Sequence, residues 1–298
     1  MKKASKGLEY TQHETGVCSL SSAVKCKATN VIIPEKVLFK GKVVEIDQYA
    51  FRNHTRMKSI VIPEGVVSIG NMAFENCKNL EHVVLPQSLK SIGSAAFINC
   101  HQLKSIVLPA TITSIASNTF AYCPSLESMD LRYIHSIGRY AFYKCDSLTD
   151  IVISDDVTKI EASAFQYSGY YKQHKNWKNG LLYLGKWLIG CNGSLNEYII
   201  KKDTIGIAAD AFVEDQHVKR TKNPEYNDVW ESFYMALECP NIPLPDVMNT
   251  PEYFEEIVPA KIRYKGTSEQ WSKIIKLDGE KQIPAFVTTQ DGKLETYF

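Results

Sequence analysis

Four cysteines recur at nearly constant intervals, and regularly spaced thiols are one way in which a chain can provide zinc ligands. Cys77, Cys100 and Cys123 are 23 residues apart, and Cys145 follows 22 residues later. Zinc needs four ligands that converge on one tetrahedron, whereas equivalent residues of stacked repeats lie in a row. The sequence contains neither a CxxC pair nor an HExxH motif. The spacing therefore predicts buried free thiols, with no metal and no cofactor.

Two other patterns have the residue types of a catalytic or nucleotide site. Residues 180–186 (GLLYLGK) have the spacing of a phosphate-binding loop, but Trp187 stands where a metal-binding hydroxyl is needed. His82, His101 and His135 have no serine, cysteine or carboxylate that the sequence places beside them, so no nucleophilic triad is predicted. The sequence therefore predicts that the protein is not an enzyme; a catalytic site within the less regular residues 213–298 is the weakest alternative.

The cysteines belong to a longer repeat, because each of them follows a regularly spaced phenylalanine by three positions. The phenylalanines are spaced 23, 23, 23, 22 and 23 residues apart and comprise Phe51, Phe74, Phe97, Phe120, Phe142 and Phe165. A fixed period of this length is typical of stacked units that share one elongated core. The sequence therefore predicts a solenoid.

The third repeat shows how each unit is expected to fold. Residues 80–85 alternate, which predicts a strand with Val83 and Leu85 inward and His82 and Val84 outward. Pro86 ends that strand, because proline cannot donate to a ladder. The Ala-Phe-x-x-Cys element that follows is interpreted as one turn of α-helix or 3₁₀ helix. The predicted class is thus an α/β repeat.

The pattern LxxIxLPxxLxxIgxxAFxxC, most regular in residues 62–80 and 85–103, resembles the leucine-rich repeat of the BspA-like class. The resemblance covers about residues 30–212. It implies a right-handed solenoid with a parallel β-sheet on its concave face, used to bind proteins or surfaces and not for catalysis. The sequence departs from the pattern at the proline (Arg132, Ser154) and at the cysteine (His54, Ser168).

Three regions are expected along the chain. Residues 1–33 are interpreted as an N-terminal cap, and residues 34–212 as the solenoid, with a degenerate repeat and a loop at 166–197. Residues 213–298 are interpreted as an irregular final repeat and cap with a helical insertion. Two helices are predicted there: one from the apolar spacing of Trp230, Phe233, Tyr234 and Leu237, and one after the capping box Thr267–Gln270.

Charge and composition limit the partners. The 34 Lys and Arg nearly balance the 33 Asp and Glu, so no nucleic-acid partner is expected. No stretch approaches the ~20 apolar residues of a bilayer span, so no membrane insertion is expected. No signal peptide is visible at the N-terminus. The protein is expected outside the cell or on its surface if a signal peptide precedes Met1, and in the cytoplasm otherwise; a Cys18–Cys26 disulfide would favour export.

The outward strand positions are the predicted interaction surface. Strands of successive coils lie about 4.8 Å apart, so equivalent outward residues should form columns that face a protein or cell-surface ligand. The alternative is an ordinary solvated strand face. The predicted columns are Ser59, His82, Ser105, Ser128 and Asp150, and Val61, Val84, Val107, Asp130 and Val152, with Tyr170, Tyr171 and Trp177 as candidates in the adjacent loop.

Overall fold

A computed structural model describes residues 4–14, 16–192, 197–208, 211, 260–276, 285–292 and 294–297. In these residues the chain winds into a parallel-strand solenoid of about nine turns with few helices. Each regular coil contributes two short strands and one segment of hydrogen-bonded turns. The predicted repeat fold is therefore confirmed.

The first strand row carries the part of the repeat that ends in Leu-Pro. Its strands form two groups, and the strands within each group pair in parallel. Between the groups, residues 105–108 form no strand, and the only pairing is a bridge from Ser105 to His82. The strands of this row are Asn30–Ile32, Ser59–Val61, His82–Val84, Ser128–Leu131 and Asp150–Ile153.

The second strand row carries the Ser-Ile part of the repeat and is also parallel. Each of its shortest strands buries one isoleucine. Its strands are Gly41–Ile46, Ser68–Ile69, Ser91–Ile92, Ser114–Ile115, Ser136–Ile137 and Lys159–Ile160.

An N-terminal hairpin begins the second row. Glu9–Glu14 and Val17–Ser22 pair antiparallel, and Val17–Ser22 pairs in parallel with Gly41–Ile46. The short strand Lys36–Val37 pairs antiparallel with Gly41–Ile46. The first regular coil therefore has its open edge covered, as the terminal unit of a solenoid requires.

Phenylalanine rings form the centre of the core. All six are buried, and neighbouring rings stack with centroids 5.0–5.6 Å apart and planes within 10° of parallel. Because every coil places its ring on the ring of the coil before it, the core continues through the stack. No coil encloses a core of its own.

The Ala-Phe-x-x-Cys segment consists of successive β-turns, which differs from the expected helical turn. In the coil of Phe97, Ile98 N–H donates to Ala95 C=O and Cys100 N–H donates to Phe97 C=O. Ala95 and Asn99 have φ of 54° and 60°, values that interrupt any helix. The N–H groups of residues 95, 97 and 99 donate to the next coil. In a helix these N–H groups would donate within the segment. The segment forms β-turns instead, because turns leave the N–H groups free to donate to the next coil.

The repeat cysteines satisfy carbonyl groups of neighbouring coils. Each thiol donates to the carbonyl of the phenylalanine one coil earlier, at 3.1–3.3 Å between sulfur and oxygen. Burial raises the pKa of the Cys77 and Cys123 thiols to about 12, and raises the pKa of the Cys100 and Cys145 thiols well above the usual range. The predicted buried free thiols are confirmed at these four positions.

The two departures from cysteine have local explanations. His54, in the first copy, places Nε2 at 2.8 Å from the carbonyl oxygen of Cys26. Ser168 is buried, and its Oγ accepts the N–H of Tyr171 at the start of a short helix. Each replacement still uses a polar atom to satisfy a backbone group, which is the task of the thiol elsewhere.

The degenerate repeat contains a β-hairpin. It comprises the helix Gly169–Lys172, the 3₁₀ helix His174–Asn176 and the strands Trp177–Lys178, Leu181–Leu184 and Trp187–Cys191. Asn179 and Gly180 both have positive φ and Gly185 has φ of 57°, values that suit the tight turns between these strands. Gly206 lies against the Trp187 ring, where an added Cβ would come within 2.5 Å of it.

The C-terminal residues that the structure describes form two further sheets with parallel pairs. Gly206–Ile207 and Ile275–Lys276 continue from Trp187–Cys191, while Glu197–Ile200, Ala260–Tyr264 and Ala285–Thr288 pair in parallel and Leu294–Tyr297 closes antiparallel. The helix Ser268–Ser272 begins at the predicted capping box, which is confirmed. The helix predicted around residues 230–237 lies outside the described residues.

Candidate functional site: the outward face of the first strand row

The outward residues of the first row lie in the register that the repeat predicts. Ser59 is opposite His82 and Val61 is opposite Val84. Farther along, Ser128 is opposite Asp150, and Asp130 is opposite Val152. Ser105 bridges to His82, whereas Val107 has no ladder pair. The structure therefore aligns most members of both columns, through two groups of strands separated at residues 105–108.

The apolar column is exposed to solvent. Its valines Val61, Val84, Val107 and Val152 have between 38% and 82% of their surface exposed, with Val107 the most exposed. Ile199, on the outward side of a later strand of the fold, is also exposed. Among the described residues, these five are a large share of the exposed large apolar side chains. These valines form an apolar stripe in one row, interrupted by Asp130 between Val107 and Val152.

Charged and polar groups border this stripe. Lys58 forms an ion pair with Glu81 of the next coil, at 3.6 Å between nitrogen and oxygen. Arg132 donates to the Asp130 carboxylate, and this hydrogen bond is the main cause that lowers the pKa of Asp130. Such exposed pairs add little stability, typically below ~1 kcal/mol. They give the stripe a polar rim of mixed sign.

The adjacent loop residues are less accessible than the columns. Tyr170, Tyr171 and Trp177 are half-buried and pack against the core. Tyr170 Oη donates to the carbonyl of Tyr183 at 2.6 Å, and Trp177 Nε1 donates to the carbonyl of Tyr171 at 2.7 Å. The structure thus gives these three side chains structural contacts. Their role in partner binding stays a prediction.

A group of tyrosines on the turn side of the coils was not indicated by the sequence patterns. Tyr143 makes edge contacts with Tyr122, Tyr140 and Tyr167, at centroid distances of 5.3–5.5 Å. Lys144 Nζ lies 5.2 Å from the centroid of the Tyr122 ring. An alignment of the repeat copies could have indicated this cluster, since Tyr122 replaces the asparagine that earlier copies have at the same position.

One group of metal-type ligands occurs in the described part of the chain. Ligand atoms of His13, Glu45 and Asp47 all lie within 4.8 Å of one another. Buried Ser19 donates to Asp47 Oδ2 and contacts His13 Nε2, both at 2.8 Å. An imidazole with two carboxylates suits a borderline divalent cation. Sequence spacing gave no signal because His13, on the strand Glu9–Glu14, is far along the chain from Glu45 and Asp47.

The same group does not have the arrangement of a nucleophilic triad. In a triad the histidine contacts both the nucleophile and the orienting carboxylate. Here Ser19 lies between His13 and Asp47, and its side chain is buried away from any substrate. The arrangement orients polar side chains at the start of the solenoid and provides no activated nucleophile.

The fold and the exposed strand row define a class: a solenoid repeat protein with an accessible parallel sheet. The family model described as BspA type leucine rich repeat region matches residues 44–172 and 135–249, with six copies. The chain therefore belongs to the BspA-type leucine-rich repeat family. Its repeats are compatible with a protein-interaction module.

Two solved structures are similar to this chain. A leucine-rich repeat protein of T. pallidum is 25% identical, with a TM-score of 0.53 over 56% of this chain and 78% of its own. A leucine-rich cell surface protein of Faecalibacterium prausnitzii A2-165 is 23% identical, with a TM-score of 0.52 over 72% of this chain and 52% of its own. This chain thus spans about half of the second protein. No curated protein matches the sequence.

Two further observations concern membrane spans and cysteine pairing. Among the described residues, no helix combines the length and apolar character needed to cross a membrane. Cys18 and Cys26 are buried free thiols, so the disulfide considered from the sequence is not formed in this structure.

Proposed function

We propose that this protein is a non-enzymatic binding module that holds a partner protein against the outward face of the first strand row. The observation that carries this proposal is the stripe formed by Val61, Val84, Val107 and Val152, whose side chains are exposed while most apolar residues of the repeat are buried. Apolar patches rimmed by polar groups are typical of protein interaction sites. The mixed charge of the rim favours a protein over a nucleic acid.

The stripe has a shape suited to an extended partner. Parallel strands are about 4.8 Å apart, so the column from Val61 to Val152, with Asp130 within it, is roughly 19 Å long. The neighbouring polar column, which includes His82 and Ser105, supplies donors and acceptors beside it. A partner that lies along the row would contact several coils at once, and its specificity would depend on residues that vary between coils.

Replacing two central valines by glutamate is expected to abolish this binding. The double change Val84→Glu and Val107→Glu places two carboxylates in the apolar stripe, where a bound partner would have to desolvate them. Both side chains are exposed, so the fold should persist, with a change in unfolding free energy within about 0.5 kcal/mol per site. Affinity should fall at least about a hundredfold. Proteins captured by the full chain from host or native-cell extracts would be compared by quantitative mass spectrometry, and the affinity of a candidate measured directly.

The matched control uses the second row. Ser91 and Ser114 are exposed serines at equivalent positions of successive coils, so Ser91→Glu with Ser114→Glu adds the same charge outside the valine stripe. The control should bind as the parent does. Binding that survives the valine double change would exclude the first row as the site.

We propose further that this binding serves adhesion at the cell surface or outside the cell. Support comes from the surface association that is frequent in this family and from the printed description of the F. prausnitzii relative as a cell surface protein. The alternative is an intracellular scaffold with the same fold. Both functions would use the same face.

The redox state of the native protein separates the two locations. Protein isolated from its own cells under thiol-blocking conditions, then unfolded and titrated, should yield all eight cysteines as thiols if it resides in a reducing compartment. A Cys18–Cys26 disulfide identified by mass spectrometry would instead support export. Purification of a reduced and an oxidised reference sample provides the two calibration points.

A further inference from the structure

The first coil carries a projecting hairpin that later coils lack. Lys36–Val37 pairs with the start of Gly41–Ile46, and the N–H of Lys40 donates to the carbonyl of Val37, which closes the turn. Later coils cross the same corner with a short turn, for example at Glu64 and Gly65. The stack therefore does not require the hairpin tip. The residues of the tip can therefore have a role other than stacking.

The tip exposes two large apolar side chains. Phe39 has 91% of its surface exposed and Leu38 has 78%. Phe39 also has φ of 63°, in the left-handed region that favours glycine or asparagine. A phenylalanine here is thus unfavourable both for the backbone and for solvation. Local features that oppose stability in this way point to a function.

Two lysines stand directly behind the tip. Lys36 is the register partner of Lys42 across the hairpin, and both are exposed. Like charges at directly opposite positions repel. Residues 35–43 contain three lysines and one glutamate, and residues 1–60 hold 11 Lys and Arg against 5 Asp and Glu. Lys40 is engaged differently, because its Nζ donates to the carbonyl of Tyr10.

We propose that this hairpin docks the protein onto an anionic lipid surface. Along the direction in which it projects, the hairpin presents first the apolar pair Leu38 and Phe39 and then the cationic pair Lys36 and Lys42. A bilayer with anionic headgroups has the complementary layers, since charge at its surface lies above hydrocarbon. The apolar pair enters the interface while the lysine ammonium groups contact headgroup phosphates or carboxylates. The contact is peripheral and needs no membrane-spanning segment.

The dimensions of the tip favour lipid over protein. A stable protein interface buries about 800 Å² per partner, whereas this apolar tip consists of two side chains on a narrow ribbon. A lipid surface needs no complementary pocket, because the headgroup region yields to each side chain.

Vesicle binding by the full chain tests this inference. The protein would be co-sedimented with vesicles of phosphatidylcholine alone and with vesicles containing about 30% phosphatidylserine, at low and at high salt. We expect at least about tenfold stronger binding to the anionic vesicles at low salt, because two lysines act near the surface. Added salt should weaken it. No binding to anionic vesicles at low salt would overturn the inference.

Variants of the hairpin test whether its apolar and cationic residues are responsible for vesicle binding. Phe39→Asn with Leu38→Ser should reduce vesicle binding at least about tenfold, yet leave the melting temperature unchanged or higher, since asparagine tolerates the left-handed backbone. Lys36→Gln with Lys42→Gln should remove the preference for anionic vesicles. The matched controls Val67→Ser and Lys90→Gln with Lys104→Gln alter exposed residues elsewhere and should bind vesicles as the parent does. Tip variants that bind vesicles normally, or that abolish self-association in sedimentation velocity instead of vesicle binding, would overturn the lipid assignment.

Discussion

Phe97→Ala is expected to lower the unfolding free energy by about 3–5 kcal/mol, because it removes a fully buried ring and leaves a cavity. The ring has its centroid 5.0 Å from that of Phe74 and 5.5 Å from that of Phe120, so both stacking contacts are lost. Coils contact mainly their neighbours, and a defect in the middle of the stack weakens its coupling on both sides. Urea unfolding followed by circular dichroism measures the loss.

Two variants serve as controls for this prediction. Phe97→Leu keeps most of the buried volume and should cost considerably less than Phe97→Ala. Val107→Ala, on the exposed stripe, should change the unfolding free energy by no more than about 0.5 kcal/mol. Hydrogen exchange should become faster in the coils on both sides of position 97. A loss below about 1 kcal/mol for Phe97→Ala would contradict the stacked core.

Stability is expected to fall steeply above about pH 9, because the buried thiols of Cys77, Cys100, Cys123 and Cys145 keep their protons in the folded state. An exposed thiol in the unfolded chain titrates near pH 8.5, whereas burial raises the pKa of Cys77 and Cys123 to about 12. Between these values the unfolded chain binds fewer protons than the folded chain. The stabilising contribution is therefore complete below the unfolded pKa and is lost as the pH rises toward the folded pKa.

The size of this effect follows from the number of thiols. Each thiol removes up to about 1.4 kcal/mol of unfolding free energy per pH unit, so four together remove up to about 5–6 kcal/mol per unit. Urea midpoints measured between pH 8 and 10.5 under reducing conditions give the slope. Cys100→Ala should reduce that slope by about one thiol's share.

A core substitution that leaves the thiols in place distinguishes a change in overall stability from a change in the pH dependence of the unfolding free energy. Ile112→Val removes a methyl group from the core and should lower the unfolding free energy equally at every pH. Its slope should match that of the parent protein. If Cys100→Ala left the slope unchanged as well, other groups would have to account for the alkaline loss.

The repeat positions allowed the fold to be predicted. Apolar residues at fixed offsets, such as Phe97 and Cys100, indicate packing because a side chain that recurs at one position of every coil meets its own equivalent in the next. The exposed face could be predicted as well, since outward positions such as Val84 follow from strand alternation. The Asn179-Gly180 turn and the capping box at Thr267 were recognisable because short-range hydrogen bonding determines them.

Features that depend on contacts between distant residues could not be predicted in the same way. The turn segment around Ala95 and Asn99 was expected to be helical, since its residue types permit a helix. The group of His13, Ser19 and Asp47 brings the N-terminal hairpin to Asp47, 28 residues after Ser19 in the chain. The exposure of Phe39 depends on a hairpin that projects from the stack, although aromatic residues elsewhere in the repeat are buried.

The sequence alone determined that this chain is a stacked repeat and which side of each strand faces outward, because both follow from a period that every copy shares. The tertiary structure decided how the coils are joined, which aromatic residues remain accessible and where the strand ladder opens at residues 105–108. The physical reason lies in the competition for backbone donors. N–H groups such as that of Phe97 donate to carbonyl groups of the next coil and are therefore not available for a local helix. Only the assembled stack supplies these acceptors.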